Sequence, residues 1–589
     1  MPGDVLCANE IPELITVGQY LTKRLVQHGV RHLFGLPGDF NLQILDEMIS
    51  SDDLSWIGGT NELNAGYAAD GYARAGQLGA FITTYGVGEL SAVNAVAGSY
   101  AENVPVVHIV GIPDVDKLAV NKAWHHTLTD GDYEHFARVF DEMTVSGVFI
   151  DKRFLKTDGS YDPVKITEAL DKVIADVLTY SRPGYIGIPN DVAMLEVPSE
   201  PLKTPLQIVI APEVALKQFK EDLKDRLKEY AQTNQNPFTI LAGMLVYRRN
   251  QQKNIAALAD LPCVKIASQI NTSTLLNADH PNYLGLYCGG ITPNPKVRKI
   301  IDSAPLPILI GVLFGEIALG NFTQKFNVNQ AIELGLNDAR IGFANYTGIT
   351  LGQSVPVLYN CLLELIAEGI VDENNLKELD VLNQIDDKMP EISENTALEQ
   401  STFWAEIENW FNTTDQQLNI ISDLGTCFFG LLEIRMPKNA NLMTQNIWGS
   451  IGYALPATVG VNLLHADKRN VLFSGDGAAQ LTIQDLSGFE AQGLKPIIFI
   501  VNNDGYTIER SIQKPQANYH EIRAFDWKAL AKGFAPSFAT YTVTTIGQLR
   551  RAVEQASADN SCGHFIEVKI PAVDFPLLLK RWTPASDDE

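Results

Sequence analysis

The chain has 589 residues, 46% hydrophobic and 20% charged, and its 70 acidic against 45 basic side chains give a formal charge of −25. That length exceeds what one hydrophobic core serves and predicts several domains, while the acidic surplus argues against nucleic acid or anionic membrane as a partner by simple repulsion. No run of ~20 apolar residues predicts a membrane span, and Met1–Pro12 lacks the basic flank and apolar run of a signal peptide, so the expectation is a cytoplasmic protein. Cys7, Cys263, Cys288, Cys361, Cys427 and Cys562 form no CxxC pair and stand at no metal-ligand spacing from a histidine pair. They read as reduced, mostly buried thiols.

In chain order, Leu14–His28 carries helical periodicity with Gly29 as its cap. A strand at His32–Leu36, the turn Pro37-Gly38-Asp39 and a helix from Asn41 follow. The alternation continues with strands at Leu54–Ile57, Ala80–Tyr85 and Val104–Val110 and helices at Glu62–Ala75 and Leu90–Ala101. Strands joined by such helices predict a parallel sheet covered on both faces. Asp191–Pro212 reads as a linker, and the helix Glu213–Tyr230 opens a second alternating region reaching about residue 365. Glu368–Gln400 reads as an acidic connector with surface helices, and a third alternating region runs from about Ser401 to Ile570. The expected architecture is α/β, three consecutive doubly wound parallel-sheet domains. Their expected boundaries are 11–190, 205–365 and 395–570, with a tail at 571–589.

The third region carries the sharpest chemistry. A strand at Asn470–Ser474 ends at Gly475-Asp476-Gly477, a helix at Gln480–Gln492 crosses back, and a strand at Pro496–Val501 ends at Asn502-Asn503-Asp504-Gly505. A right-handed crossover sets the two strand ends side by side, at the carboxyl edge where open α/β sheets bind ligands. Glycines there let backbone approach a phosphate. A carboxylate, an amide oxygen and a main-chain carbonyl form an all-oxygen partial shell suited to Mg²⁺ beside a diphosphate. Either turn alone reads more readily as an ordinary Gly/Asn/Asp turn; in one crossover unit they favour the metal–diphosphate site.

This Gly-Asp-Gly…Asn-Asn pattern resembles the signature of thiamine-diphosphate enzymes. The resemblance extends to the pyruvate decarboxylase family and its indolepyruvate and branched-chain 2-oxo acid relatives. It is carried by FGLPGDFN at 34–41, NELNAGYAADGYARA at 61–75, YGVGELSAVNAVAGSYAEN at 85–103 and HHTLTDGDY at 125–133. RPGYIGIPNDV at 182–192, WGSIGY at 448–453 and NNDGYTIE at 502–509 continue it. The resemblance implies non-oxidative decarboxylation of a 2-oxo acid to an aldehyde through a thiamine diphosphate ylide. It implies Asp476, Asn503 and the Gly505 carbonyl as Mg²⁺ ligands, with Thr426, Gly477 and Ile508 also against the cofactor. Glu62 would hydrogen-bond the aminopyrimidine and Ile451 would wedge the cofactor into its bent form. Asp39, His125, His126 and Glu509 match the family's proton-handling groups, a task near neutral pH that histidines and perturbed carboxylates suit.

Taken singly, each of these residues has an ordinary reading: Glu62 at a helix start, Asp39 as a turn and cap residue, His125 and His126 on a loop, Ile451 in a core, Glu509 as a solvated acid. The surrounding motifs reverse those odds. The resemblance also implies a homodimer or dimer-of-dimers tetramer, with Glu62 and the histidines of one subunit facing the metal ligands of another. The histidine pair argues against the acetolactate synthase and oxalyl-CoA decarboxylase types. No GxGxxG follows a strand in the middle region, and a non-catalytic homologue would be expected to have lost one of the site residues. The pocket departs from the family pattern at Leu424, Cys427 and Phe428, and Ile317 stands where some relatives carry an aromatic. Leu245 stands where substrate-activated members carry a cysteine. Pyruvate is the first expectation for substrate, with a branched or aromatic 2-oxo acid second.

Overall fold

The structure is a computed structural model in which residues 12–583 are described apart from 77, 119–121, 373–375, 378 and 380–391. The N-terminal stretch with Cys7, much of the acidic connector and the end of the tail lie outside the described residues. The chain forms two compact units, the first comprising Met1–Ile208 with Leu455–Ala466 and Thr482–Leu494, the second the remainder.

The first unit is built on strands β2 (His32–Gly35), β3 (Ser55–Gly58), β4 (Gly79–Thr84), β5 (Val106–Ile112), β6 (Ser146–Phe149) and β7 (Gly184–Pro189), all parallel in the order β3-β2-β4-β5-β7-β6. β4 and β5 are buried along their whole length, as strands covered on both faces must be. Their pleat sends Ala80, Ile82, Val107 and Ile109 into one core and Phe81, Val106 and Val110 into the other. Three expectations need correcting. Leu14–Thr16 is not helix but strand β1, because Thr16 and Gln19 form a capping box that starts the helix at Val17. The expected linker holds strand β8 (Glu196–Pro198), paired antiparallel with β1. The helix expected at Leu90–Ala101 is two, Val87–Ser91 and Val93–Ala101. The first helix ends on His28, and Gly29 (φ +88°) takes the left-handed position after it.

The second unit holds two sheets. One has the order β11-β10-β9-β12-β13-β14-β15, where β9 is Phe238–Ala242, β10 Val264–Ser268, β11 Tyr283–Leu286, β12 Pro307–Ile310 and β13 Ile332–Leu334. It is parallel only as far as β13. β14 (Asp338–Ile341) and β15 (Ala344–Thr347) run antiparallel as a hairpin, because the turn at Gly342-Phe343 is too short for a crossover. The other sheet is wholly parallel in the order β17-β16-β18-β19-β21-β20. Its strands are β16 (Leu418–Ser422), β17 (Asn441–Thr444), β18 (Arg469–Gly475), β19 (Ile497–Asn502), β20 (Ala539–Val543) and β21 (His564–Lys569). The crossover from β18 to β19 is not one helix but three pieces: Asp476–Ala479, a 3₁₀ turn at Ile483–Asp485, and Leu486–Ala491. The break lets Asp485 turn its carboxylate toward Asn64 Nδ2 (2.9 Å) and Thr60 Oγ1 instead of solvent. Within the stretch expected as a tail, Leu577–Trp582 is helical and buries Leu578 and Leu579.

Candidate active site

β18 and β19 are neighbours, so Asp476 and Asn503 emerge together at the carboxyl edge of the sheet, 2% and 3% exposed. The Gly477 N–H donates to Asp476 Oδ1 (2.8 Å) and the Gly505 N–H to Oδ2 (3.1 Å). The side-chain amide of Asn503 aims one heavy atom at Asp476 Oδ1 (3.1 Å) and at the Gly505 carbonyl (2.9 Å). With nitrogen there, the amide bridges two oxygens by hydrogen bonds. With oxygen there, the amide oxygen has two oxygens as neighbours. Its two spacings match the ~3 Å edge of an octahedron whose ligands lie ~2.1 Å from a Mg²⁺ ion. Burial pushes the Asp476 carboxyl up to about 7 against the two amides that lower it, which a cation beside it would reverse. The donor set therefore fits the ion.

Gly505 has φ +133°, and a Cβ there would fall 2.1 Å from the His520 carbonyl, so only glycine lets its backbone turn in. The loop is held from beneath by buried Arg510, whose guanidinium donates to the Asn503 (3.2 Å) and Asp504 (2.8 Å) carbonyls. Asp423, at the end of β16, is buried and accepts from Ser474 Oγ (2.5 Å) and the Ala454 N–H (2.9 Å). Desolvation raises its carboxyl to about 6. These contacts fasten β18 and the turn carrying half-buried Ile451, which lies between Gly449 (φ +69°) and Gly452 (φ +85°). Sequence reasoning missed Asp423 and Arg510. The signal for Asp423 was available, since it is a carboxylate at the same edge of the same sheet as Asp476.

Thr426 is buried at the first turn of the helix Thr426–Leu431. Phe428, 1% exposed, lies in an apolar cluster with Phe429, Ile270, Leu578 and Leu579, and Ile317, Leu424 and Ile508 pack on its border. The residues expected to shape the substrate side thus come together. Glu509 begins beside Ile508 on the helix Thr507–Ile512 and is exposed.

In the first unit, His125 Nε2 lies 2.6 Å from Asp39 Oδ2, both side chains about half exposed. Phe40 stacks on His125 (4.8 Å), and His126 meets His125 edge to face (4.7 Å). His126 adopts φ +64° and buries an Nδ1 without a hydrogen-bond partner among the described residues. Gly86 permits this, because a Cβ there would stand 2.2 Å from the His126 carbonyl. Glu62 opens the helix Glu62–Ala75, capped by Asn61, whose side chain accepts from the Asn64 N–H (2.8 Å). Gly88 leaves room for its carboxylate, a Cβ there falling 3.2 Å from Glu62 Oε1. Asp485, raised to about 6 by burial, braces this segment through Thr60 and Asn64.

Residues 15–135 match the thiamine pyrophosphate enzyme N-terminal TPP binding domain, and residues 423–568 the C-terminal TPP binding domain. The chain is 37% identical to the alpha-keto-acid decarboxylase of Mycobacterium leprae over 588 residues, 99% of this chain and 98% of that protein. It is 36% identical to the protein of that name from Mycolicibacterium paratuberculosis, over 97% of each chain. To that from Mycobacterium tuberculosis strain H37Rv it is also 36% identical, over 96% of each. Parallel α/β sheets bearing both binding domains define a thiamine-diphosphate enzyme. Within that class the chain belongs to the thiamine-diphosphate-dependent 2-oxo acid decarboxylase family, and it is a carboxy-lyase. No helix among the described residues is long and apolar enough to cross a membrane.

Proposed function

We propose that the enzyme converts pyruvate to acetaldehyde and carbon dioxide, using Mg²⁺ to anchor its cofactor. When bound, thiamine diphosphate supplies the electron sink for loss of carbon dioxide. Asp476, Asn503 and the Gly505 carbonyl would hold Mg²⁺ against the diphosphate, and Thr426, Gly477 and Ile508 would line the cofactor. Ile451 would pack against it as the wedge side chain, and the Glu62 carboxylate would accept a hydrogen bond from the pyrimidine ring. The reading of the proton-handling groups rests on one observation, the Asp39–His125 contact of 2.6 Å with His126 beside it. A carboxylate and two imidazoles so placed could deliver a proton to the carbon that has lost carbon dioxide and take one from the hydroxyl whose oxygen becomes the aldehyde carbonyl, with Glu509 serving the carboxylate end.

A complete site then needs two copies of the chain, the Glu62 and histidine half of one meeting the metal-binding half of the other. A homodimer or a dimer-of-dimers tetramer follows. The functional division is a pyrimidine-binding region at 11–190, a central region at 205–365 and a diphosphate-binding region at 395–570. Among the described residues Cys263, Cys288, Cys361, Cys427 and Cys562 stand outside any disulfide, which supports a reducing, cytoplasmic setting.

Buried Phe428 with Ile317 and Leu424 on its border fills the substrate side with apolar bulk, which supports a small 2-oxo acid. The paired rings of Phe428 and Phe429 (5.2 Å) favour a second reading, a branched or aromatic 2-oxo acid. Aldehyde formation from pyruvate, 2-oxoisovalerate, phenylpyruvate and indolepyruvate, coupled to an alcohol dehydrogenase, decides between them. Pyruvate is expected to lead in kcat/KM. A larger acid leading by about tenfold, ~1.4 kcal/mol of transition-state binding, overturns the choice.

A further inference from the structure

The loop between the helix Ile546–Ala558 and β21 lies at the amino edge of the third parallel sheet, opposite the edge that carries Asp476 and Asn503. It gathers three side chains of different donor chemistry. Cys562 Sγ is 3.6 Å from Asp559 Oδ2 and 3.9 Å from His564 Nε2. Asp559 Oδ2 and His564 Nε2 are 4.0 Å apart. A tetrahedral Zn²⁺ with bonds of ~2.3 Å to sulfur and ~2.0–2.2 Å to nitrogen and oxygen sets ligand atoms roughly 3.4–3.6 Å apart. The three separations, 3.6, 3.9 and 4.0 Å, come within roughly half an ångström of that figure before any ion draws them in. We propose that Asp559, Cys562 and His564 form a second divalent-metal site, selective for Zn²⁺ over Mg²⁺, with its fourth position open to water.

The surroundings are consistent with this. His564 is buried, its side chain 1% exposed, while the Asp559 side chain is 44% exposed and open to an entering ion. Burial lowers the His564 pKa and keeps the imidazole neutral. The Ser561 hydroxyl and N–H, the latter donating to Asp559 Oδ1 (2.7 Å), hold the carboxyl below its usual range. His564 Nε2 now faces the Asp559 carbonyl (2.9 Å) and Nδ1 faces Tyr541 Oη (3.2 Å). Metal binding moves the ring proton from Nε2 to Nδ1, where Tyr541 accepts it, an outer partner of the kind that orients a ligating imidazole. The thiol releases its proton to solvent. Arg469 alongside donates to the Ala556 and Asp559 carbonyls (3.2 Å each). The two anionic ligands would offset the charge of the ion. A sulfur–nitrogen–oxygen set takes borderline-soft ions, whereas the all-oxygen set at Asp476 takes hard ones.

The test is a titration of the holoenzyme, loaded with thiamine diphosphate and Mg²⁺, with Co²⁺ as a spectroscopic stand-in. One equivalent per chain is expected to give tetrahedral visible bands and a thiolate-to-cobalt charge-transfer band, bleached by Zn²⁺ and untouched by excess Mg²⁺. Cys562→Ser loses the charge-transfer band, Asp559→Asn weakens binding, and Tyr541→Phe weakens it by roughly tenfold. Decarboxylation by Cys562→Ser remains that of the parent. Absence of a thiolate band, or a band that persists in Cys562→Ser, overturns the assignment.

Discussion

The two halves of the proposed active site are built on opposite physical plans. The half proposed to bind metal is dry: Asp476 and Asn503 are almost wholly buried, and their loop is clamped by Arg510 and by a glycine that tolerates no side chain. The half proposed to handle protons is wet in the single chain: Asp39 and His125 are about half exposed, on loops positioned by Phe40 and Gly86. A buried carboxylate without a counter-ion is driven toward protonation, so the first half gains from a cation. Exposed titratable groups keep their protons exchangeable, which the second half needs. Rigidity where charge is held, access where protons move: each half fails in its own way when altered.

The largest effect is expected in the dry half. Asp476→Ala removes the charged oxygen and should weaken Mg²⁺-dependent cofactor binding by more than the ~100-fold that outer partners of a metal command, measured by calorimetry, and abolish turnover. Glu62→Gln should leave cofactor affinity nearly intact while kcat falls by about 10²–10⁴. A loss in affinity equal to that in kcat would show that Glu62 merely binds. His126→Ala should lower kcat/KM within the same range of about 10²–10⁴, while cofactor affinity stays unchanged.

A smaller effect concerns the brace beneath Glu62. Burial raises the Asp485 carboxyl from its ordinary 3.8 to about 6. The protonated form is therefore the one the fold prefers. Its contribution to stability is complete below pH ~4 and is lost as pH rises through about 6. Asp485→Asn removes that term, so its unfolding free energy should lack a drop on the order of 2–3 kcal/mol that the parent shows between pH 4 and 6.5. Urea unfolding at several pH values reads the difference, and parallel pH curves would contradict it. Smallest of all, Phe428→Leu should shift preference between 2-oxo acids by only ~1–3 kcal/mol, visible as a change in kcat/KM ratios.

The legible parts of this molecule are those set by local pattern. The helix Glu62–Ala75 falls where its periodicity and the Asn61 cap place it. β18 and β19 end at the Gly-Asp-Gly and Asn-Asn turns, so that Asp476 and Asn503 come together from sequence alone. What escaped depends on partners distant in the chain. The broken crossover answers to Thr60 and Asn64, more than 400 residues away. Leu14–Thr16 became a strand because β8 lies ready to pair with it. The hairpin β14–β15 departs from the parallel plan expected of the second region, because its turn at Gly342-Phe343 admits no crossover. The Asp559–Cys562–His564 triad escaped because a single histidine near a cysteine carries no spacing signal.

On the proposed arrangement, the wet half of one copy completes the dry half of another. Glu62→Gln and Asp476→Ala, each inactive alone, should regain activity when mixed under conditions of subunit exchange. In a random dimer population roughly a quarter of the sites then carry both intact halves. Recovery toward that level places each site between two copies; no recovery despite demonstrated mixed dimers would place both halves in one.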